Sequence, residues 1–408
     1  MCKTSDKSTA TPQDIERLFS RACQLHEKGK PDEALILYKD LLSIIPNSAL
    51  LHFNYGLALF ELGLFVDAEL HYGMASEWDS EDPDIHYNRG LNFRRLGKFA
   101  EAAQSFEDAF KAGDTTVDTL YNLALCYQDL EEYSEAERLY VRILTDVPEH
   151  LSSLNNYAYL CHKSGQSQKA EQLYRQLLHH NPHHQAARHM IDSLSGNTPE
   201  TAPLDYVESV FDNYADEFEQ SLLNKLQYRT PTALKNMYNK VFQANIQDRA
   251  LDLGCGTGLA GTEFKDCCEE IIGMDISEKM LSVASSKQIY KQLVKDDILH
   301  FLTNNTKPFS LILAADVFTY MGNLEKVFIE CLENSVDNGL FLFSVEESQN
   351  AGFELKTTGR FGHSQEYINS LSKKTGWTIL EDTHSKLRKD KGEWINGFLF
   401  LLQKQPNP

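Results

Sequence analysis

Five alanines fall 34 residues apart, at Ala34, Ala68, Ala102, Ala136 and Ala170, and each is followed four residues later by an aromatic: Tyr38, Tyr72, Phe106, Tyr140 and Tyr174. A period of that length excludes a single continuous core for this half of the chain. It requires repeated supersecondary units, each burying its face against the next. The same register sets Ala22, Gly56, Gly90, Ala124 and Ala158 on an earlier helix, then Gly29, Gly63, Gly97 and Gly165 at a turn, where Glu131 is the exception. Pro46, Pro148 and Pro182 close three units, while Ser80 and Asp114 stand at the equivalent place in the other two. The spacing predicts two antiparallel helices per unit, with small residues where helices touch and the aromatic locking one pair against the next.

This pattern resembles the tetratricopeptide repeat, as five repeats over residues 15–184 preceded by a flexible segment, 1–14. Residues 185–194 are expected to form the polar-faced capping helix that such arrays need, carrying the array to residue 194. The turn-forming, apolar-poor run 195–203 reads as the linker. Asn54, Asn88, Asn122 and Asn156 share one register on the first helix of repeats two to five. In some tetratricopeptide arrays asparagines at this position line a concave groove and hydrogen-bond an extended peptide, so the resemblance implies a protein or peptide partner; asparagine is also common there without that role. Phe53, Tyr87 and Tyr121, one residue earlier, add stacking surface.

The second half changes character. Ala250 to Leu253 is a short apolar strand running into a glycine-rich turn, and Ile271 to Asp275 is a second strand ending in an acid. Such a unit lets backbone approach a nucleotide, points a helix N-terminus at it, and offers the second acid to ribose hydroxyls. Gly256, Gly258 and Gly261 also match the dinucleotide spacing, which raises a nicotinamide cofactor. Asp252 decides between them: a carboxylate there repels a pyrophosphate and attracts the ammonium of S-adenosylmethionine.

Asp252, Gly254, Gly256 and Gly258 together resemble the first motif of the class I S-adenosylmethionine-dependent methyltransferases. That resemblance implies that Asp275 holds the ribose with Ile276 beside it. It further implies that Asp297 and the Ile298 amide meet the adenine, with Asp296 as the alternative acid. Phe309–Asp316 and Asn338–Val345 read as the next strands, with Asp337-Asn338-Gly339 replacing the family's usual Pro-Gly-Gly turn. Ser364 is expected to cap a helix over 365–375 stopped by Gly376, before final strands at 377–380 and 397–402. Val207, Val210, Phe211, Tyr214, Phe218 and Leu222 mark an amphipathic leading helix. In related enzymes such a helix also forms a lid, so Tyr214 and Tyr228 are candidates for the methionine end of the donor. The expected architecture is an N-terminal α-solenoid followed by a Rossmann-like domain over 204–408, with a mostly parallel seven-stranded sheet whose last pair is antiparallel. The whole resembles the repeat-containing methyltransferases predicted in bacteria.

Methyl transfer from a sulfonium asks the protein chiefly to align the acceptor and exclude water. Candidates to orient or deprotonate an acceptor are Asp316 and Glu346 at strand ends, and His363, whose ordinary pKa suits a base near neutrality. The Asp316–Tyr320 segment lacks the Asn/Asp-Pro-Pro-aromatic sequence used on amide or exocyclic nitrogens. The acceptor stays open between a protein and a small molecule. The alternative to an active enzyme is an interaction scaffold whose methyltransferase-like domain binds donor without turnover. A net charge of −20 argues against nucleic acid. Scattered cysteines and unspaced histidines, His179, His180, His183 and His184 included, argue against a metal site. No signal or membrane-spanning run is present, so a cytoplasmic, membrane-free protein is expected.

Overall fold

The computed structural model describes residues 11–214, 226–242, 246–390 and 392–406, with the side chains of Asn213 and Tyr214 outside that set. The chain divides into two compact units at His180/Asn181.

The first unit is five helix pairs: α1 (Pro12–Glu27) with α2 (Pro31–Ile44), α3 (Ala49–Glu61) with α4 (Phe65–Trp78), α5 (Pro83–Arg95) with α6 (Phe99–Lys111), α7 (Val117–Asp129) with α8 (Tyr133–Asp146), and α9 (Leu151–Lys163) with α10 (Ser167–His180). Helix α1 starts ahead of the expected residue 15, and Thr11 and Asp14 cap it reciprocally, each side chain accepting from the other's amide. All five register alanines are fully buried, as are Tyr38, Tyr72, Phe106 and Tyr140. The small residues are dictated by those rings. A Cβ on Gly56 would lie 2.9 Å from the Tyr72 ring, and one on Gly90 would lie 2.8 Å from the Phe106 ring. The turn glycines Gly29, Gly63, Gly97 and Gly165 have φ between 69° and 77°, and Glu131 takes the same left-handed conformation at φ 62°. The two repeats without the closing proline keep their helices: Asp82 caps α5 ahead of Pro83, and Asp114 accepts from the Thr116 amide ahead of α7.

The second unit opens with α11 (Gln185–Ser195), the helix expected to cap the array. It groups instead with the sheet domain, because its buried His189 has Nε2 2.8 Å from the Gly359 carbonyl and its ring 4.8 Å from that of Tyr206. The expected linker is likewise built into this unit. Ala202 N–H donates to Tyr320 O, the Gly322 and Asn323 amides donate to Glu200 O, and the Leu355 amide donates to Thr198 Oγ1.

Then come α12 (Leu204–Tyr214), α13 (Thr230–Phe242), β1 (Gln247–Leu253), α14 (Leu259–Phe264), β2 (Cys268–Asp275), α15 (Glu278–Ser286), β3 (Gln292–Lys295), α16 (Ile298–Asn304), β4 (Phe309–Ala314), α17 (Glu325–Glu333) and β5 (Ser335–Glu346). A small hairpin, β6 (Phe353–Leu355) and β7 (Phe361–His363), precedes α18 (Gln365–Thr375), β8 (Trp377–Asp390) and β9 (Glu393–Lys404). The seven-stranded sheet runs β3-β2-β1-β4-β5-β9-β8, parallel through β5 and antiparallel at both β9 contacts. Ser364 and Gly376 bound α18 as expected. Side-chain alternation splits the core. Leu251, Leu253, Ile312, Phe341 and Phe343 pack on one face with α16, α17 and α18; Ala250, Leu311, Leu313, Leu340 and Leu342 pack on the other with α13 and α14. Of the amphipathic stripe, Phe218 and Leu222 lie outside the described residues. Among the described residues no helix is long and apolar enough to cross a membrane.

Glu131→Gly relieves a left-handed side chain and should raise stability by about 0.5 kcal/mol, after the extra entropy of glycine is counted. Gly90→Ala forces a methyl against Phe106 and should cost about 1–3 kcal/mol. Urea unfolding midpoints of the full chain report both.

Candidate functional site

The site forms where β1, β2, β4 and β5 end. In an open α/β sheet this carboxyl edge is where ligands bind. At the glycine turn, Gly254, Gly256 and Gly258 all have positive φ, at 58°, 54° and 91°. A Cβ on Gly254 would fall 2.8 Å from Val317 Cγ2, so the turn lies directly against the segment that follows β4. Asp275, at the end of β2, ties the turn down: Oδ2 accepts from the Gly256 amide at 2.8 Å and Oδ1 from the Ser277 amide at 2.9 Å. Burial pushes its carboxyl up, and those amides with that of Ile276 draw it back. A carboxylate oxygen has two lone pairs, so Asp275 keeps acceptor capacity beyond these bonds. Beside it, Ser277 Oγ donates to Asp212 Oδ1 at 2.5 Å, which fastens α12 over this corner. Ile276 is half-buried next to these groups.

Asp252 shares a sheet face with Ala250, the face covered by α13 and α14, and is 1 % exposed. Its Oδ2 accepts from Tyr290 Oη at 2.6 Å and the Gly261 amide at 3.1 Å, and burial lifts its pKa to about 7. Through Oδ2 it anchors the helix after the turn. Asp297 caps α16, its Oδ1 accepting from the Leu299 and His300 amides, while no described group bonds its Oδ2. Ile298 follows as the first helical residue. Asp296 faces His300, whose Nδ1 is 2.8 Å from both carboxylate oxygens.

Past β4, Asp316 adopts φ 60°, an unusual conformation for a residue with a side chain. Ser344 Oγ donates to its Oδ1 at 3.0 Å, and Arg388 Nη1 donates to its Oδ2 at 2.7 Å. The same guanidinium reaches Glu346 Oε1 through Nη2. Lys356 Nζ donates to Glu346 Oε2 at 3.2 Å, with Arg360 Nη1 3.8 Å from Oε1. Burial pushes the Glu346 carboxyl up, but Arg388, Arg360 and Lys356 outweigh it and hold the pKa below its ordinary value. Tyr228 sits among the charges of Asp316, Arg388 and Asp252; burial first, then the carboxylates, raise its pKa well above 10. The Tyr214 side chain lies outside the described residues.

His363 is not placed to act as a base. It is fully buried, with Nε2 2.9 Å from the Gly322 carbonyl and Nδ1 without a partner. Burial lowers its pKa to about 4. In the first unit, Asn54, Asn88 and Asn122 donate their amides to the carbonyls of Leu50, Asp84 and Asp118 in their own helices. Asn156 donates to Tyr121 Oη at 2.8 Å. Asn122 Oδ1 accepts from Arg94 and Asn156 Oδ1 from Asn155.

The sequence assigned no role to Arg388, Lys356, Arg360, Asp212 or Ser277; each reaches the site through tertiary packing.

Residues 250–339 match the family model described as a methyltransferase domain, and residues 15–45, 87–140 and 115–179 match tetratricopeptide repeat models. The chain thus joins tetratricopeptide repeats to a methyltransferase domain. It is 25% identical over 123 residues to a malonyl-[acyl-carrier protein] O-methyltransferase of Bacillus anthracis, covering 29% of this chain and 45% of that one. It is 28% identical over 134 residues to a probable S-adenosylmethionine-dependent methyltransferase, CRG1, of Saccharomyces cerevisiae, covering 31% and 45%. The chain therefore spans under half the length of these curated relatives. The solved tetratricopeptide protein YrrB aligns at 17% identity and a TM-score of 0.41, over 43% of this chain and 91% of that one.

Because His363 stays neutral when folded down to about pH 4 but takes up a proton near 6.5 when unfolded, its contribution is fully present above about 6.5 and lost as pH falls toward about 4. The loss should reach about 3 kcal/mol, from about 1.4 kcal/mol per pH unit. His363→Gln should flatten the stability profile in that window, read by urea unfolding at a series of pH values.

Proposed function

We propose that this chain is an S-adenosylmethionine-dependent methyltransferase whose repeat array recruits a protein or peptide partner. One observation carries the enzymatic reading: Asp275 already orders the Gly256 and Ser277 amides around itself, and its oxygens keep acceptor capacity for a diol. The buried Thr257 Oγ1 at the same turn has no hydrogen-bond partner among the described residues, and a side chain on Gly254 would collide with Val317. An orphaned polar atom and a backbone cradle are what a polar ligand held along the turn requires. In this reading Asp275 holds the ribose, Asp297 Oδ2 and the Ile298 amide hold the adenine, and Ile276 packs beside the ribose.

S-adenosylmethionine, when bound, supplies an electrophilic methyl group on sulfur. The chain's own work is positional. Val317 and the glycine turn set the distance between donor and acceptor sides, α12 covers the corner through Asp212, and the Phe211 ring, 5.4 Å from that of Tyr320, helps exclude water. For the array, the carbonyl oxygens of Asn54 and Asn88 accept no bond from described residues, which supports their use on a peptide backbone.

Calorimetric titration of the purified chain with S-adenosylmethionine tests the first half. The wild type should bind, and Asp275→Ala should weaken binding at least about tenfold, about 1.4 kcal/mol. A wild type that takes up no donor refutes the reading. For the second half, replacing Asn54, Asn88, Asn122 and Asn156 together by alanine should abolish recovery of the array's partner by cross-linking to the full chain, with donor binding unchanged.

A further inference from the structure

The acceptor side of the site has an uneven balance of bases and charges. At this edge Asp316, Glu346, His363 and Asp252 are each already committed to partners within the fold. Asp316 is tied to Arg388 and Ser344. Glu346, 2 % exposed, is shared by Arg388, Lys356 and Arg360. His363 is sealed in the core with Nε2 on the Gly322 carbonyl, and Asp252 lies on the helix-covered face beneath Tyr290.

Three cations also converge on two carboxylates, Asp316 and Glu346, while the neighbouring Glu347 faces His384 and Glu354 accepts from Ser348 and Asn350. Arg388 is buried, but the side chains of Lys356 and Arg360 keep 26% and 35% of their surface at the rim, on the turn between β6 and β7. That turn is held in place: Gly359 O accepts from His189, and the Lys356 amide donates to Arg360 O. A site with surplus positive charge repels an ammonium and draws an anion, and guanidinium and ammonium donors suit carboxylate geometry.

Building on the methyltransferase reading, we infer that the methyl acceptor is a carboxylate, drawn in by Lys356 and Arg360, and that the product is a methyl ester. A carboxylate is ionised at neutral pH and needs no general base. One of its oxygens forms the new C–O bond to the methyl carbon as the S–C bond breaks. The S–C electron pair goes to sulfur, which leaves as a neutral thioether, and no proton moves. The second oxygen stays with the rim cations. The commitment of Asp316, Glu346 and His363 is then no handicap, since a base has nothing to remove.

The test supplies S-adenosylmethionine, tritiated in its methyl group, with the purified full chain to a desalted extract of the cells that make it and, separately, to the small-molecule filtrate. Label that mild alkali releases as volatile methanol supports a methyl ester, on protein carboxylates if it appears in the desalted extract and on a small acid if in the filtrate. Label that survives alkali overturns the carboxylate while leaving the methyltransferase reading intact. Failure of the chain to bind donor calorimetrically removes that reading itself. The transfer rate should change less than about twofold between about pH 7 and about pH 9, whereas an amine acceptor would gain about tenfold per unit below its pKa. A readout independent of turnover uses thermal unfolding: excess butyrate should raise the midpoint and butylammonium should not. Lys356→Gln combined with Arg360→Gln should abolish the butyrate shift. Stabilisation by butylammonium instead of butyrate overturns the inference.

Discussion

Two carboxylates at the ends of neighbouring parallel strands need a cation that reaches both, and Arg388 meets that need from the far edge of the sheet. Asp316 follows β4, Glu346 ends β5, and Arg388 lies on β8, with β9 between. The reach depends on two local features. β8 shifts register between Lys386 and Arg388, which re-aims the side chain. Gly397 on β9 lets the strands close in, since a Cβ there would lie 2.4 Å from Leu387 Cδ1. Removing one partner from such a buried pair leaves a charge stranded, at about 3–5 kcal/mol. The antiparallel end of the sheet therefore holds the ends of β4 and β5 together, beyond adding two strands of core.

The parts of this molecule that repeat or stay local were legible in its sequence. A ring at Tyr72 or Phe106 dictates glycine at the facing position one helix away, and a small residue, glycine or alanine, recurs there in every unit, so the period exposes it. The glycine turn and Asp275 were readable for the same reason: a strand, a turn and the next strand are contiguous chain. Arg388, Lys356 and Arg360 were not, because a charged hairpin strand looks solvated until the sheet places it against buried acids. Asp212 is similar, being one acid on an amphipathic helix until Ser277 meets it.

Asp252 shows how a strand's period adds to what a motif tells. Alternation along β1 puts Leu251 and Leu253 on one face and Ala250 and Asp252 on the other. The motif named the residue correctly, but the strand's period decided which way it faced. The run 195–203 carries the opposite lesson. Its turn-forming residues do describe its local conformation, yet its backbone groups find partners at residues 320–323 and the Thr198 hydroxyl accepts from the Leu355 amide, and composition says nothing about such partners.

Histidine and glutamate on this edge exchange the properties that their free side chains suggest. His363 has the ordinary pKa best suited to moving protons near neutrality, yet burial lowers it to about 4 and commits its Nε2 to the Gly322 carbonyl. Glu346 is buried as deeply, but three cations more than offset that burial and keep it ionised. The difference is the neighbours, since desolvation opposes charge on both. An edge built this way holds its charge nearly fixed through neutral pH, with His363 uncharged and Glu346 charged. A fixed field is of little use for shuttling protons and well suited to holding a charged acceptor in one orientation, which is the demand that methyl transfer from a sulfonium places on a protein.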